Sequence, residues 1–131
     1  MFAVDATTGR IEMNCGDTGD FFVEAVRDDG EPFTSDDRAV FTVANGMGEI
    51  VMTRIYGLAD SDLGNGTIHV EFSNNDTDDW PAGPYTYEIR YAVNPVWDNG
   101  VITSGDLVDT PGIDGKGNPM QMTLKPVQAY I

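Results

Sequence analysis

Cys15 and His69, the only cysteine and the only histidine, are the residues best suited to nucleophilic chemistry. A nucleophile needs a base within hydrogen-bonding distance, so the two side chains would have to meet in the fold. Cys15 stands in a glycine-containing turn, whereas His69 falls on the polar side of an alternating stretch far along the chain. We therefore expect no catalytic dyad. A single cysteine also excludes an intramolecular disulfide and a cysteine-based zinc site.

Acidic loops offer the oxygen ligands that calcium prefers, six to eight of which would have to converge. None of these loops matches the twelve-residue EF-hand pattern, because the alternating acids and the closing glutamate are missing. Asp and Asn are also common in turns, where they bond their own backbone. We expect turns here, with no metal and no other cofactor. The loops are Asp28-Asp29, Asp36-Asp37, Asp60-Ser61-Asp62, Asp76-Thr77-Asp78-Asp79 and Asp114-Gly115-Lys116-Gly117-Asn118.

Three further patterns could suggest catalysis and none is specific. Asp17-Thr18-Gly19 resembles the triplet of aspartic proteases, but it has no second copy and stands where a turn precedes a strand. With 22 Asp and Glu residues, any single carboxylate pair for glycoside hydrolysis is uninformative. The glycines between Gly112 and Gly117 lack the strand-to-helix context of a phosphate-binding loop. We expect the protein not to be an enzyme.

The excess of acidic over basic residues limits which classes of molecule the protein is expected to bind. Among 131 residues, Asp and Glu number 22 and Lys and Arg number 7, which gives a net charge of −15. Nucleic acids and anionic membranes are bound through Lys and Arg, so neither is expected as a partner. No apolar run approaches the roughly 20 residues of a membrane span. Residues 1–5 lack the basic and apolar parts of a signal peptide, which favours a protein made in the cytoplasm.

Short runs rich in Val, Ile, Phe, Tyr and Thr, separated by glycines and prolines, predict an all-β fold. Alternation is clearest in two of these runs, 66–73 and 85–93, where every second residue is apolar. Pro126 places the last run at a sheet edge or a bulge. The predicted strands are 9–13, 20–27, 38–44, 48–56, 66–73, 85–93 and 120–131.

Strands with one apolar face each must pack in two layers, so the sequence predicts one domain over 1–131. We expect an immunoglobulin-like antiparallel β-sandwich of about seven to eight strands. A small barrel is the alternative. The stretch 94–119, with a short strand at 101–103, is expected to be a long loop insertion.

The residues before and within the sixth predicted strand resemble a structural corner. A tyrosine at the start of such a strand often bonds back to the preceding turn, and either Tyr85 or Tyr87 could do so. An exposed aromatic platform for a sugar or a peptide is the functional alternative. The candidate corner consists of Trp80, Pro81, Gly83, Tyr85 and Tyr87.

A family resemblance covers most of residues 14–93. It is carried by Gly16-Asp17-Thr18-Gly19 before an apolar strand, by Asp29-Gly30-Glu31-Pro32-Phe33, and by Ala82-Gly83-Pro84-Tyr85-Thr86-Tyr87 in the same order and spacing. These stretches resemble the β-sandwich domain at the N-terminus of phage baseplate upper proteins and of small prophage-encoded virion proteins. The resemblance implies a non-catalytic structural module of a tail, baseplate or head fibre.

The leading hypothesis is therefore a virion structural protein, assembled in the bacterial cytoplasm, that docks onto other virion proteins or onto itself. Exposed edges and loops of a sandwich are natural docking surfaces. Tryptophan is favoured at interface centres, which points to Trp97. The candidate partner contacts are Trp97, Pro126, Tyr130 and Ile131. The alternative is an immunoglobulin-like adhesion or carbohydrate-binding module, in one version calcium-assisted.

Overall fold

The computed structural model describes residues 2–5, 9–24, 31–57, 67–99, 101–108 and 120–125. Within these residues the chain forms nine strands and no helix. The strands are β1 (Ala3–Val4), β2 (Ile11–Asn14), β3 (Gly19–Glu24), β4 (Arg38–Asn45), β5 (Ile50–Tyr56), β6 (Thr67–Phe72), β7 (Gly83–Asp98), β8 (Val101–Val108) and β9 (Met120–Lys125).

The described strands form two separate sheets, which confirms the prediction of an all-β protein with two layers. The larger sheet has the order β1-β2-β9-β7-β4-β5, with β8 also paired to β7, and the smaller sheet consists of β3 and β6. All pairs are antiparallel except β2 and β9, which run parallel with Ile11 opposite Met122. The expectation of a purely antiparallel fold is wrong at this pair, because a strand's own alternation does not reveal the direction of its neighbour.

The core lies between the sheets and follows the predicted alternation. In β6, Ile68, Val70 and Phe72 are buried, as the alternation predicted. Aromatic rings join the layers: Phe21 of the smaller sheet lies 6.4 Å from Phe41 of the larger one, centroid to centroid. Each sheet therefore buries one apolar face against the other. The inward residues of β7 are Tyr85, Tyr87, Ile89, Tyr91 and Val93, all buried.

The prediction of a long loop over 94–119 needs correction. β7 continues to Asp98, and β8 pairs back onto it over 101–108 instead of forming only a short strand. The sequence obscured this because the β7–β8 register shifts between Val93 and Val96, which interrupts the alternation. Residues 109–119, which hold the Asp114-Gly115-Lys116-Gly117-Asn118 loop, lie outside the described residues.

A buried carboxylate holds the irregular part of β7 in place. Asp37 is fully buried, and its carboxylate oxygens accept the backbone N–H of Thr34 at 2.7 Å and that of Asn94 at 3.0 Å. Asn94 has a φ of 50°, a left-handed conformation that residues with side chains seldom adopt. Asp37 therefore ties the turn before β4 to the bulge of β7.

Candidate functional site

The corner residues meet at the start of β7. The Tyr85 hydroxyl donates a hydrogen bond to the Pro81 carbonyl oxygen at 2.6 Å. The Trp80 ring stacks on the Tyr85 ring with centroids 5.4 Å apart. Gly83 has a φ of 148°, a backbone conformation that favours glycine. This arrangement fixes the turn before β7 and leaves Tyr85 only 5% exposed.

Tyr87 lies apart from this corner, within the core. Its hydroxyl donates to the Gly9 carbonyl oxygen, and its ring lies 5.8 Å from that of Phe21. Burial raises the pKa of Tyr87 to about 12. Since Tyr85 and Tyr87 are both buried, neither presents a ring face to a sugar or a peptide.

The buried phenol of Tyr87 predicts a loss of stability in alkali. Between pH 10 and pH 12 the unfolded state releases the Tyr87 proton while the folded state keeps it, since burial raises the folded pKa from 10.0 to about 12. The unfolded state then binds fewer protons, so the free energy of unfolding should fall by roughly 2 kcal/mol over this range. Tyr85, whose pKa burial also raises, should act in the same direction.

Urea unfolding at half-unit pH steps would measure this loss. The Tyr87→Phe variant should show a shallower fall in stability above pH 10 than the wild type. Phe33→Leu, at a buried ring without a hydroxyl, is the control for lost packing and should retain the wild-type slope. An equally steep fall in Tyr87→Phe would contradict the assignment.

Cys15 and His69 are engaged with different groups. The Cys15 thiol lies 3.5 Å from the Trp80 carbonyl oxygen and donates to it. His69 Nε2 lies 2.6 Å from Asp20 Oδ2, and His69 Nδ1 lies 3.0 Å from Glu71 Oε1. Both ring nitrogens therefore face carboxylates instead of the thiol.

Acidic residues in the described loops accept backbone N–H groups of their own turns. Asp17, of the Asp-Thr-Gly triplet, accepts the Asn14 N–H at 2.8 Å, as a turn residue would. Asp76 accepts the Ser73 N–H at 2.7 Å. In the part of the chain that the structure describes, no group of three or more His, Cys, Asp and Glu side chains could hold a metal ion. Asp28-Asp29 and Asp60-Ser61-Asp62 lie outside these residues.

The outer face of the smaller sheet carries an exposed aromatic ring. Phe22 is 66% exposed and stacks on the His69 ring, with centroids 4.3 Å apart and planes 9° from parallel. Asp20 and Glu71 flank the pair. This ring was not among the predicted site residues, although adjacent Phe21 and Phe22 on one strand must point to opposite faces.

An open cleft separates β5, at the edge of the larger sheet, from β6. Its volume is about 480 Å³. Arg54 of β5 spans it, donating to the Glu71 carbonyl oxygen and, at 2.8 Å, to Asp76 Oδ2. Burial alone would raise the pKa of the Asp76 carboxyl above its ordinary value of 3.8. Hydrogen bonds from Ser73 and Arg54 have the larger combined effect, so the pKa is lowered. The lining residues are Arg54, Tyr56, His69, Glu71, Phe72, Ser73 and Asp76.

The outer face of β5 is apolar and exposed. Ile50, Val51 and Ile55 are 64%, 38% and 41% exposed, and Thr53 lies between them on the same strand. We call these four residues the β5 strip. Met47, in the loop that joins β4 to β5, is 85% exposed. Large aliphatic side chains grouped on an edge strand are typical of interaction surfaces.

This surface was not among the predicted partner contacts, although the sequence carries one signal of it. Residues 50–56 contain a single charged residue, Arg54, and its guanidinium is bound to Asp76 on the inner side. Edge strands exposed to water ordinarily carry charges that block pairing. The low charge of this run predicts either burial or a partner, and the structure excludes burial.

The predicted partner contacts lie largely outside the described residues. The Trp97 backbone lies in β7 opposite Ile102, and the structure describes only the backbone of this residue. Pro126, Tyr130 and Ile131 lie outside the described residues altogether. The structure therefore brings none of these four residues into a described contact surface.

Comparison with protein-family models, with curated proteins and with solved structures found no match to this chain. Within the described residues, no helical segment has the length and apolar character needed to cross a membrane.

Proposed function

We propose that this protein is a non-catalytic structural module of a phage or prophage particle, part of a tail, baseplate or head fibre, that docks onto another particle protein. The β5 strip carries the proposal. It places three exposed aliphatic side chains on an edge strand. An uncovered strip of this kind would promote aggregation of a free protein, whereas a particle subunit buries it on assembly.

The proposal includes an immunoglobulin-like sandwich as the scaffold. The order β9-β7-β4-β5 beside a separate β3–β6 pair corresponds to the two-sheet arrangement of such domains with an added edge strand. The Tyr85 hydroxyl bonded to the Pro81 carbonyl supports the same assignment, because these domains place a tyrosine corner before the equivalent strand. A rigid scaffold holds the β5 strip in one orientation for docking.

The net charge of −15 is compatible with this function, since it keeps a free subunit soluble until a partner covers the strip. The particle would be assembled in the bacterial cytoplasm. Its structural proteins are the expected partners.

Particle composition tests the proposal directly. A tagged copy of the chain, expressed in the bacterium that carries the gene, should sediment with purified particles in a fixed copy number. Ile55→Lys, at an exposed position of the strip, should reduce incorporation at least about tenfold, since a buried unpaired charge is costly at an interface. Val4→Lys, at the opposite edge of the same sheet, is the control and should incorporate normally.

Melting temperatures would establish that both variants fold. Absence of the chain from purified particles would refute the proposed function. Equal loss of incorporation in Ile55→Lys and Val4→Lys would remove the β5 strip as the docking surface.

A second candidate function, carbohydrate binding by an adhesion module, is favoured by the exposed Phe22 ring. Sugars stack on flat rings and bond to neighbouring carboxylates, and Asp20 and Glu71 flank the Phe22–His69 pair. A glycan array would show binding that Phe22→Ala abolishes. Binding that Phe22→Ala leaves unchanged would exclude this surface as the sugar site.

A further inference from the structure

We propose that the β5 edge binds an extended segment of the partner by strand addition, and that this segment alternates apolar with cationic side chains. This inference rests on the proposed docking function and specifies the chemistry of the partner. It follows from three properties of the same edge: its backbone, its outer face and the cleft on its inner side.

The backbone of β5 can accept another strand. Among the described strands, β5 pairs with β4 alone and ends the larger sheet. Every second residue of an edge strand directs its N–H and C=O away from the sheet, where another extended chain can bond to them. Strand addition obtains affinity from these main-chain bonds and specificity from pockets for alternate side chains.

The two faces of β5 differ in chemistry. The register with β4 places Thr53 opposite Thr42 and Ile55 opposite Val40, on the outer face. Arg54, opposite the buried Phe41, lies on the inner face. A strand added beside β5 continues this alternation, so its side chains would point alternately along the β5 strip and into the cleft.

The cleft favours cations. Among the described residues that line the cleft, Arg54 is the only lysine or arginine. Its guanidinium lies 2.8 Å from Asp76 Oδ2. Glu71 contributes a second carboxylate, 68% exposed, whose contact is with His69. The rim of the cleft therefore carries two carboxylates, Glu71 and Asp76, and one guanidinium, that of Arg54. Lysine or arginine side chains of an added strand would complement this rim.

Charge also argues against a second copy as the occupant. Pairing two β5 edges would bring together two chains of net charge −15. Like charges facing each other across an interface weaken association, so a basic partner segment is the better fit.

Designed peptides test the inference on the full chain. The probe is a capped heptapeptide of alternating lysine and valine, and the charge control alternates glutamate and valine. A third peptide keeps the lysine–valine side chains but carries N-methyl groups on alternate residues, which remove main-chain donors from one edge. Binding is followed by amide NMR shifts at increasing peptide concentration.

The lysine–valine peptide should bind with an affinity that falls with salt and should shift the amides of 50–56. The glutamate–valine and N-methylated peptides should bind at least about tenfold more weakly. Glu71→Gln should weaken lysine–valine binding about three- to fivefold. Glu12→Gln, an acid on β2, which β9, β7 and β4 separate from β5 in the sheet order, should leave it unchanged.

Several results would overturn the inference. Equal binding of the lysine and glutamate peptides would remove the charge preference, and shifts confined to other strands would remove the β5 edge. A dimer in analytical ultracentrifugation that Ile55→Lys dissociates would make a second copy the occupant.

Failure here is distinguishable from failure of the proposed function. If the protein incorporates into particles but does not bind these peptides, only the strand-addition inference is refuted. If the protein binds these peptides but is absent from particles, only the proposed function in a particle is refuted.

Discussion

Replacing Phe41 with alanine is expected to lower the free energy of unfolding by about 4 kcal/mol, the typical cost of deleting a buried aromatic ring. Phe41 is fully buried in β4 and lies at the centre of the contact between the two sheets. Its ring centroid is 6.0 Å from Phe72 of the smaller sheet and 6.0 Å from Tyr87 of its own sheet. Removing the ring would leave a cavity between the two sheets, lined by Phe72 and Tyr87.

Urea unfolding followed by tryptophan fluorescence would measure this loss. Phe22→Ala removes the same atoms from a ring that is 66% exposed, and it should cost less than about 1 kcal/mol. If Phe41→Ala prevents folding, Phe41→Leu should still fold, with a smaller loss of stability. Similar losses in Phe41→Ala and Phe22→Ala would contradict the assignment of Phe41 to the core.

Replacing Asp37 with alanine should cost about 3 kcal/mol, because a fully buried side chain that accepts two backbone N–H bonds would be lost. The affected donors are the backbone N–H groups of Thr34 and Asn94. Loss of the second bond also releases the left-handed residue at the β7 bulge. Hydrogen exchange should therefore rise in the β7–β8 pair as well as in the turn before β4.

The neighbouring acid provides the matched control for this variant. Asp36 is exposed, and Asp36→Ala should change the free energy of unfolding by less than about 0.5 kcal/mol. Asp37→Asn keeps one carbonyl acceptor and should fall between alanine and the wild type. A wild-type exchange pattern around Asn94 in Asp37→Ala would show that the carboxylate does not hold the bulge.

Much of the fold could be predicted because it depends on alternation. The inward residues of β6 and β7 follow a period of two, and the structure buries them. The parallel pairing of β2 with β9 could not be predicted, since Ile11 and Met122 are distant in sequence and neither strand encodes its neighbour's direction. The extension of β7 was missed because its bulge depends on the distant Asp37.

The candidate site was harder to predict than the core. The corner residues Trp80, Pro81, Gly83 and Tyr85 could be grouped because they are close in sequence, although Tyr87, predicted with them, lies in the core. The surface at β5 could not, because aliphatic residues on a strand give the same pattern whether the strand is central or at an edge. The cleft depends on a contact between Arg54 of β5 and Asp76 in the turn after β6, which neither local sequence reveals.

The position of β9 has a consequence for the timing of folding during synthesis. β9 lies between β2 and β7, so β2 has no paired neighbour in the body of the sheet until β9 has left the ribosome. The β1–β2 hairpin therefore has no strand to pair with in the rest of the larger sheet while β3 to β8 are synthesised. Pairing between strands so distant in sequence slows folding. A nascent chain stalled before residue 120 should therefore leave its first two strands open to proteases and chaperones.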